Sequence, residues 1–434
     1  MEAFDRKQVY RADLTENFPD ELTIKLGDIE LRYQKRLFSL PDGRGSMVES
    51  GLRYGENPDQ QAALYRLVNG NLILSNLQFV GPDKGLVSSL GLDEKNAMYG
   101  CRKHPSKTNL TDVDSALGAL RYLSESPAAV IVKHNNPSGA AWDSNISGAF
   151  QKAYEADRVA AFGGALVVNR PLDLDTADSV NQRYLEVVAA PDFEEGVVEK
   201  LSVKPDLRIF KISGISDLEK YQPLRYLDFK SLMDGSLILQ HSAVNRIVKA
   251  SDFQTAVAKN GSEQIQSLRA PTEKEAKDLL FGWAVEQSVV SNSVLFVKDC
   301  VTVGIGCGQQ DRVGVAEIAI FKAHRNYSES LAFSRYGISL PELVSETSSG
   351  KRPKAQLEEI QEQVKSDCGN LKGSSMVSDA FFPFRDAVDK AISQKVSAIA
   401  HPGGSLRDFE SIQAANQADP PIAMVFTGQR AFRH

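Results

Sequence analysis

The chain has 434 residues, of which 42% are hydrophobic and 24% charged, and its formal net charge is −6. This composition is typical of a soluble globular protein, and the length predicts more than one domain. The acidic balance argues against a nucleic-acid partner. No apolar run approaches the roughly 18 residues of a membrane-spanning helix, and the charged N-terminal segment does not resemble a secretory signal. We therefore expect a cytoplasmic protein with no nucleic-acid or membrane partner.

The cysteine pattern indicates neither a disulfide framework nor a metal centre. The four cysteines, Cys101, Cys300, Cys307 and Cys368, show no paired spacing and no histidine at the spacing of a metal site. The sequence therefore predicts reduced thiols and no catalytic metal.

Helix-like and strand-like segments alternate through nearly the whole chain, which predicts an α/β architecture. The first clear helix spans residues 111–123, with Thr111 or Asp112 as its N-cap and Val113 on its buried face. An apolar strand follows at residues 130–132.

A second helix and strand are predicted in the other half of the chain. Thr272 and Glu275 form a capping-box pattern that opens a helix burying Leu279 and Trp283. The apolar segment NSVLFVKD predicts the strand that follows this helix.

A polar segment at residues 345–370 is rich in Lys, Glu, Gln and Ser. It predicts a surface loop and an exposed helix over residues 355–365.

A weak internal echo links QKAYEADRVAAFGGALVV with DKAISQKVSAIAHPGGSL. We interpret each as a helix, a short apolar strand and a Gly-Gly pair, which would fit a duplication. The boundary between the two halves would then fall at about residues 225–245.

The segment VIVKHNNPSG, residues 130–139, ends an apolar run in a lysine and a histidine. Asn, Pro and Gly are ordinary turn residues, so the polar cluster can be a strand cap. A bend at Lys133 and His134 would instead bring both side chains into one cleft as catalytic groups. From these residues alone both interpretations stay open.

Arginines and aromatic residues beside apolar segments are candidates for a ligand site. Arg53 and Arg430 can each bind a phosphate through two hydrogen bonds or form a surface salt bridge. Phe381, Phe382 and Phe384 can pack in the core, which is the commoner role, or stack on a flat ligand.

Gly304, Gly306 and Gly308 resemble part of a dinucleotide-binding fingerprint, but the complete GxGxxG pattern is missing. A turn or a close approach of two backbones explains these glycines better.

Eight segments occur in the order LRYGENPDQQAALY, VKHNNPSG, DRVAAFGG, SNSVLFVKD, GIGCGQQDRV, SDAFFPFRDAVDKA, HPGGSLRD and AMVFTGQRAFRH. Together they resemble the transformylase region of the AICAR transformylase/IMP cyclohydrolase family, over residues 51–434. The resemblance implies formyl transfer from 10-formyltetrahydrofolate to the 5-amino group of 5-aminoimidazole-4-carboxamide ribonucleotide (AICAR). The products would be formylated AICAR (FAICAR) and tetrahydrofolate, in the purine biosynthesis that leads to IMP.

The resemblance also implies a fold and an assembly. We expect two tandem cytidine-deaminase-like three-layer domains, residues 51–235 and 236–434, after an N-terminal extension of residues 1–50, and we expect a homodimer. The glycine-rich phosphate motifs of the family's cyclohydrolase domain are missing before residue 51. We therefore expect a stand-alone transformylase that needs a separate IMP cyclohydrolase.

The family's functional positions can be placed on this sequence. The catalytic pair falls on Lys133 and His134. The AICAR-binding positions are Arg53, Tyr54, Glu186, Asn292, Arg312 and Arg430, and the folate-binding positions are Phe162, Val313, Phe381 and Asp386.

The chemistry explains why a lysine and a histidine are needed. The lone pair of the acceptor amine is delocalised into the imidazole carboxamide, so a base must remove its proton during attack. His134 is suited to this role near neutral pH. Lys133 can stabilise the oxyanion or protonate the departing folate nitrogen. No metal is needed, although family members can bind structural potassium, and Val289 and Glu286 fall near the expected positions.

Two other functions compete with formyl transfer. A zinc deaminase would share the implied fold, but it requires HxE and PCxxC patterns that the sequence lacks. A non-catalytic AICAR- or folate-binding regulator is suggested only by departures from the family pattern at Asp59 and Ala431. The retained Lys133 and His134 argue against it.

Overall fold

The computed structural model describes residues 18–41, 46–57, 60–68, 73–74, 77–78, 90–91 and 103–434. The chain divides into two compact units. The first unit comprises Met1–Leu117 and Gly163–Val244, and the second comprises Gly118–Phe162 and Asn245–His434. The family domain bounds at residues 50 and 235 stay a prediction, and Cys101 and Asp59 lie outside the described residues.

The strands are, in chain order, β1 Glu21–Leu26, β2 Ile29–Arg36, β3 Phe38–Pro41, β4 Met47–Ser50, β5 Leu64–Leu67, β6 Ile73–Leu74, β7 Leu77–Gln78, β8 Leu90–Gly91, β9 Ala128–Lys133, β10 Asn136–Trp142, β11 Ala165–Val168, β12 Val187–Ala190, β13 Arg208–Ile212, β14 Leu227–Ser231, β15 Leu237–His241, β16 Gln254–Thr255, β17 Val257–Asn260, β18 Glu263–Gln266, β19 Val294–Lys298, β20 Val301–Gly306, β21 Ser375–Ser378, β22 Ala398–His401 and β23 Ala423–Phe426.

The α-helices are α1 Lys107–Leu120, α2 Ile146–Ala156, α3 Arg158–Ala161, α4 Leu174–Asn181, α5 Val197–Leu201, α6 Glu273–Glu286, α7 Arg312–Tyr336, α8 Leu340–Ser348, α9 Lys354–Ser366, α10 Asp386–Ser393 and α11 Asp408–Gln417. Two 3₁₀ segments span Ser213–Tyr221 and Ala250–Asp252.

The first unit contains parallel and antiparallel pairings. Strands β11, β12 and β13 run parallel, and β8 pairs antiparallel with β13. A separate antiparallel sheet joins β1, β2 and β5, and β14 forms a hairpin with β15. Helices α4 and α5 alternate with the parallel strands, as crossover connections between parallel strands require.

The sheet of the second unit has the strand order β16, β23, β22, β21, β19, β20, β10, β9. Strands β21, β22 and β23 run parallel, and the other neighbouring pairs run antiparallel. Both units therefore mix helices and strands, and the predicted α/β class is confirmed.

Alternate residues of the second unit's strands bury against different helices. Phe296 and Met376 belong to a core cluster that includes Ala319 of α7. Val377 follows Met376 in β21 and faces another helix, because a Cβ added at Gly282 of α6 would lie 2.8 Å from Val377 Cγ2. Because successive strand residues point to opposite faces, helices cover both faces of this sheet.

The glycines of β20 allow the close backbone approach that the sequence predicts. A Cβ at Gly304 would meet the Ala319 carbonyl oxygen at 2.3 Å, and one at Gly306 would meet the Val315 oxygen at 2.2 Å. Both oxygens belong to α7. Any side chain at these glycines would therefore push α7 away from the sheet.

The helix that opens at Thr272 is confirmed, because Thr272 and Glu275 form the predicted reciprocal capping box. The predicted N-cap of α1 is wrong. That helix begins at Lys107, where the Ser106 hydroxyl accepts the Asn109 N–H at 3.2 Å. Ser106 is a good cap, and the polar first turn hid it from the apolar pattern.

The polar segment forms the expected helix at α9. Helix α8 was not predicted, and its buried Leu343 joins Ala332, Ile360 and Val364 in a small separate cluster. The predicted echo is only partly matched, since Gly163 and Gly164 precede β11 whereas Gly403 and Gly404 follow β22.

Candidate active site

Strand direction gathers several chain segments at one edge of the second unit's sheet. Strand β20 runs antiparallel to β10, so β20 ends at the edge where β10 begins. Strand β19 also begins there, and β21, β22 and β23 end there. We call this edge the site edge. Ligands commonly bind outside the carboxyl ends of parallel strands in open α/β sheets.

Lys133 and His134 lie at the site edge, in the hairpin between β9 and β10. Lys133 pairs with Asn136 across the hairpin, which leaves His134 and Asn135 as a two-residue turn. Their φ angles are 56° and 61°, the left-handed values that a type I′ turn requires. The polar cluster is thus a bend, and it leaves the His134 side chain exposed.

The Lys133 ammonium group is oriented by the backbone. Its Nζ donates a hydrogen bond to the Phe162 carbonyl oxygen at 2.7 Å. Phe162 is 57% exposed, so a ligand can reach it. Lys133 and Phe162, assigned to catalysis and to folate, are therefore neighbours.

A cavity of about 470 Å³ lies at the site edge. Six residues assigned to the substrates line it: Asn292, Arg312, Val313, Phe381, Asp386 and Arg430. The rest of its lining consists of Gln310, Asp311, Ala380, Pro383, Phe384 and Phe432. Lys133, His134 and Phe162 are not among the described residues that line this cavity.

Arg312 is fixed in the wall of the cavity by several acceptors. It forms an ion pair with the fully buried Asp379, whose carboxylate also accepts a hydrogen bond from Ser291. Its Nη2 donates to Asn292 Oδ1 at 2.6 Å, and Asn292 Nδ2 donates to the Gln309 oxygen at 2.8 Å. Arg312 and Asn292 therefore enter the cavity as one oriented pair of donors.

Two buried titratable groups lie behind this wall. Burial, with a smaller contribution from Asp379, raises the pKa of Glu286 well above its usual range. Burial, with a smaller contribution from Arg312, lowers the pKa of His401 to about 3. Burial therefore favours the neutral form of Glu286, and His401 is uncharged near neutral pH, while Arg312 and Asp379 form an ion pair in the wall.

Arg430 is held by aromatic rings at the mouth of the cavity. Its guanidinium carbon lies 5.1 Å from the ring centre of Phe381 and 5.5 Å from that of Phe432. Stacked guanidinium groups keep their N–H edges available, and the residue is exposed. Arg430 can therefore bind an anion while Phe381 offers a face to a flat ring.

The other predicted nucleotide residues lie in the first unit. The Arg53 N–H donates to the Pro105 oxygen at 2.9 Å, and the Tyr54 oxygen accepts the Lys107 N–H at 3.0 Å. The Arg53 guanidinium carbon is 5.5 Å from the Tyr54 ring centre. Both residues therefore lie beside the first turn of α1.

Glu186 is tied to the same helix. Its Oε2 accepts a hydrogen bond from Asn109 Nδ2 of α1 at 3.0 Å and lies 3.6 Å from Arg208 Nη1. The buried Arg208 holds the carboxylate in place. The structure thus groups Arg53, Tyr54 and Glu186 around α1 in the first unit.

Sequence reasoning missed several residues of the cavity and its support. Phe432 lines the cavity and was given no role, although its motif was noted. Of the three phenylalanines with two open interpretations, Phe382 packs in the core, whereas Phe381 and Phe384 line the cavity. Asp379, directly after β21, orients Arg312, and its position at the carboxyl end of a parallel strand is the signal that could have identified it.

The described residues show neither a metal-binding cluster nor a membrane-spanning helix. Within the described ranges, no three His, Cys, Asp or Glu side chains are grouped so that they could hold a metal ion. No helix in that part of the chain is both long enough and apolar enough to cross a membrane.

The fold and the cavity define a class of protein, an α/β protein whose strand ends carry a cavity of arginine and phenylalanine side chains. Such a cavity suits a flat ligand with negative charge. The model of the AICARFT/IMPCHase bienzyme family matches residues 2–322. The chain belongs to this family.

Curated relatives agree with the family match. The bifunctional purine biosynthesis protein PurH of Caldicellulosiruptor saccharolyticus is 34% identical over 418 residues, which cover 96% of this chain and 62% of the relative. PurH of Chlorobaculum parvum is 35% identical over 389 residues, 89% of this chain and 59% of the relative. The chain thus spans about three-fifths of the length of these relatives.

Proposed function

We propose that the chain transfers the formyl group of 10-formyltetrahydrofolate to the 5-amino group of AICAR and releases FAICAR and tetrahydrofolate. Its family membership and the PurH relatives support this activity. The cavity is the observation that carries it, because one site at a sheet edge collects six of the side chains expected to bind the two substrates.

The binding roles combine the chemistry of the cavity wall with the family positions of residues outside it. Arg430, in the cavity of the second unit, binds the phosphate of AICAR. Arg53 and Tyr54 of the first unit are proposed as phosphate-binding residues from their family positions. Phe381 packs against the pterin ring of the folate, and Asp386 accepts hydrogen bonds from its N–H groups. Glu186 contacts the nucleotide, and Phe162 and Val313 provide apolar contacts for the folate.

The reaction itself uses the hairpin turn. The amine nitrogen of AICAR attacks the formyl carbon while His134 removes its proton. Lys133 and the oriented donors of Arg312 and Asn292 stabilise the negative oxygen of the tetrahedral intermediate. The bond between the formyl carbon and the folate nitrogen then breaks, and Lys133 or protonated His134 supplies a proton to that nitrogen.

We also propose the family's fold and setting for this chain: two tandem cytidine-deaminase-like three-layer domains in a cytoplasmic homodimer. The helices on both faces of the second unit's sheet support a three-layer arrangement. A structural potassium ion would lie near Glu286 and Val289. The buried Glu286 Oε2 has no hydrogen-bond partner among the described residues, and an oxygen of this kind suits such a cation.

A formyl-transfer assay with AICAR and 10-formyltetrahydrofolate tests the activity. We expect FAICAR and tetrahydrofolate to form in equal amounts. Binding of both substrates without any turnover would instead establish a non-catalytic binding protein. Stoichiometric zinc and release of ammonia would establish a deaminase.

The homodimer proposal rests on the separation of the catalytic pair from the cavity lining. If a second copy completes each site, His134 of one chain works with Arg430 of the other. Co-refolding inactive His134→Ala with inactive Arg430→Ala should then restore activity above that of either parent. Verified heterodimers that stay inactive, while wild type refolded in the same way recovers, would place both residues in a site within one chain.

A further inference from the structure

The turn that carries His134 needs support from outside the hairpin. His134 and Asn135 both have left-handed backbone angles, which residues with a Cβ disfavour. A two-residue turn that is strained in this way keeps one geometry only when its surroundings fix it. The position of the His134 ring depends on that geometry, because the ring extends directly from the turn.

Arg433 contacts this turn from the C-terminal segment. Its Nη1 donates one hydrogen bond to the Asn135 carbonyl oxygen at 3.3 Å and another to the Ser288 oxygen at 2.6 Å. The Arg433 carbonyl oxygen accepts the Ser291 N–H at 2.9 Å. One residue therefore joins the catalytic turn to the segment that follows α6.

Asn136 forms a second connection between the same two segments. Its Oδ1 accepts the Val290 N–H at 3.0 Å, and its Nδ2 donates to the His134 oxygen at 3.3 Å. The segment that receives both connections leads directly to Asn292 in the cavity wall. The turn and the wall are thus linked through residues 288–291.

We propose that Arg433 is a positioning residue for formyl transfer, which fixes the His134 turn against residues 288–291 of the same chain. This inference rests on the proposed function. The planar guanidinium directs two N–H groups at fixed angles, which suits two carbonyl oxygens on different segments. Positioning matters because a misplacement of about 1 Å can lower turnover by about 100-fold.

Arg433→Met and Arg433→Lys test the proposal, with Arg335→Met as the matched control. Arg335 pairs with Glu359 at the other end of α7, roughly 34 Å along the helix from its first residue. We expect Arg433→Met to lower kcat by about 10-fold to 100-fold and to change the KM for AICAR by about twofold at most. The kcat of Arg433→Lys should lie between those of Arg433→Met and wild type. Added guanidinium should partly restore the kcat of Arg433→Met.

Hydrogen exchange supplies a readout that does not depend on activity. Amides of residues 130–139 should exchange faster in Arg433→Met than in Arg335→Met, while the rest of the second unit stays unchanged. Wild-type kcat with wild-type exchange in Arg433→Met would overturn the proposal, and so would faster exchange throughout the unit, which marks a general structural role.

The two proposals can fail separately. If wild type transfers no formyl group, the proposed function fails, and the exchange experiment still decides whether Arg433 fixes the turn. If Arg433→Met does not fold, the kcat of Arg433→Lys and the hydrogen exchange of its residues 130–139 test the proposal instead.

Discussion

Two hairpin turns of the second unit share one backbone conformation and differ in their surroundings. The turn of His134 and Asn135 lies at the site edge. The turn between β19 and β20 consists of Asp299 and Cys300, with φ angles of 55° and 56°. Because β10 and β20 are antiparallel, this second turn lies at the opposite edge of the sheet.

The turn at the opposite edge is fixed through its N–H groups. The buried Asp278 carboxylate accepts the Asp299 N–H at 3.2 Å and the Cys300 N–H at 2.7 Å. Burial, with a smaller contribution from the charge of Asp278, raises the pKa of Cys300 to about 12. The thiol therefore stays protonated and unreactive near neutral pH.

The turn at the site edge is held through its carbonyl groups instead. Arg433 donates to the Asn135 oxygen and Asn136 to the His134 oxygen. The His134 side chain remains exposed. The comparison shows that a turn with left-handed backbone angles can be fixed by a buried carboxylate that accepts its N–H groups, or by donors to its carbonyl groups that leave the first side chain exposed.

The largest difference between the turns should appear in catalysis. His134→Ala should lower kcat by at least about 100-fold, because the amine loses the base that removes its proton. Asp299→Ala, at the equivalent place in the other turn, should leave kcat within about twofold of wild type. Steady-state formyl-transfer rates at saturating substrates measure both. Near-normal turnover in His134→Ala would remove the histidine from the mechanism.

The lysines that precede the two turns sharpen this contrast. Lys133 Nζ donates to the Phe162 oxygen at 2.7 Å, whereas Lys298 Nζ donates to Asn370 Oδ1 at 3.1 Å. Lys133→Met should lower kcat by about 30-fold or more through loss of charge stabilisation, and Lys298→Met should not change it. Equal rates for the two variants, each confirmed as folded by circular dichroism, would contradict the role given to Lys133.

The sequence predicts those parts of the fold that depend on local chemistry. The capping box of Thr272 and Glu275 was predicted correctly because both partners lie within one helical turn. Helix α8 was missed because its sequence is polar and its one apolar side, which includes Leu343, buries only against a small cluster formed by distant residues such as Ile360 and Val364.

In the candidate site, too, contacts between residues far apart in sequence could not be predicted. Six residues of the family motifs line one cavity, because their motifs lie before the start of β19 or after the ends of β20, β21 and β23, all at the site edge. Arg433 and Asp379 could not be assigned from spacing. Arg433 acts on Asn135 across 298 residues of sequence, and Asp379 acts on Arg312 across 67. Only the strand order brings these partners together.

Loss of the carboxylate that supports the turn at the opposite edge should lower the stability of the protein. Asp278→Ala should lower the free energy of unfolding by about 2–3 kcal/mol, because it leaves the two N–H groups of Asp299 and Cys300 without their acceptor. Its kcat should stay close to that of wild type. Asp217→Ala, which removes only a surface ion pair with Lys220, should cost less than about 0.5 kcal/mol. Urea denaturation measures both variants, and equal costs would mean that Asp278 does not support its turn.

Replacing one residue of each turn by glycine should have the smallest effect on stability. Asn135 is the second residue of the site-edge turn, and Asp299 is the first residue of the other turn. Asn135→Gly and Asp299→Gly each remove the Cβ penalty of a left-handed residue but add backbone entropy to the unfolded chain. The free energy of unfolding should therefore change by less than about 0.5 kcal/mol in either variant. Their kcat values should differ, because only the site-edge turn carries a residue that we propose as catalytic.

Asn135→Gly should lower kcat by about threefold to tenfold through less constrained placement of His134. Asp299→Gly should match wild type, since the proposed active site lies at the other edge of the sheet. Urea denaturation and saturating kinetics on the same preparations separate stability from turnover. If both variants kept full activity, the rigidity of the site-edge turn would be unnecessary for catalysis, and the two turns would differ only in the residues they carry.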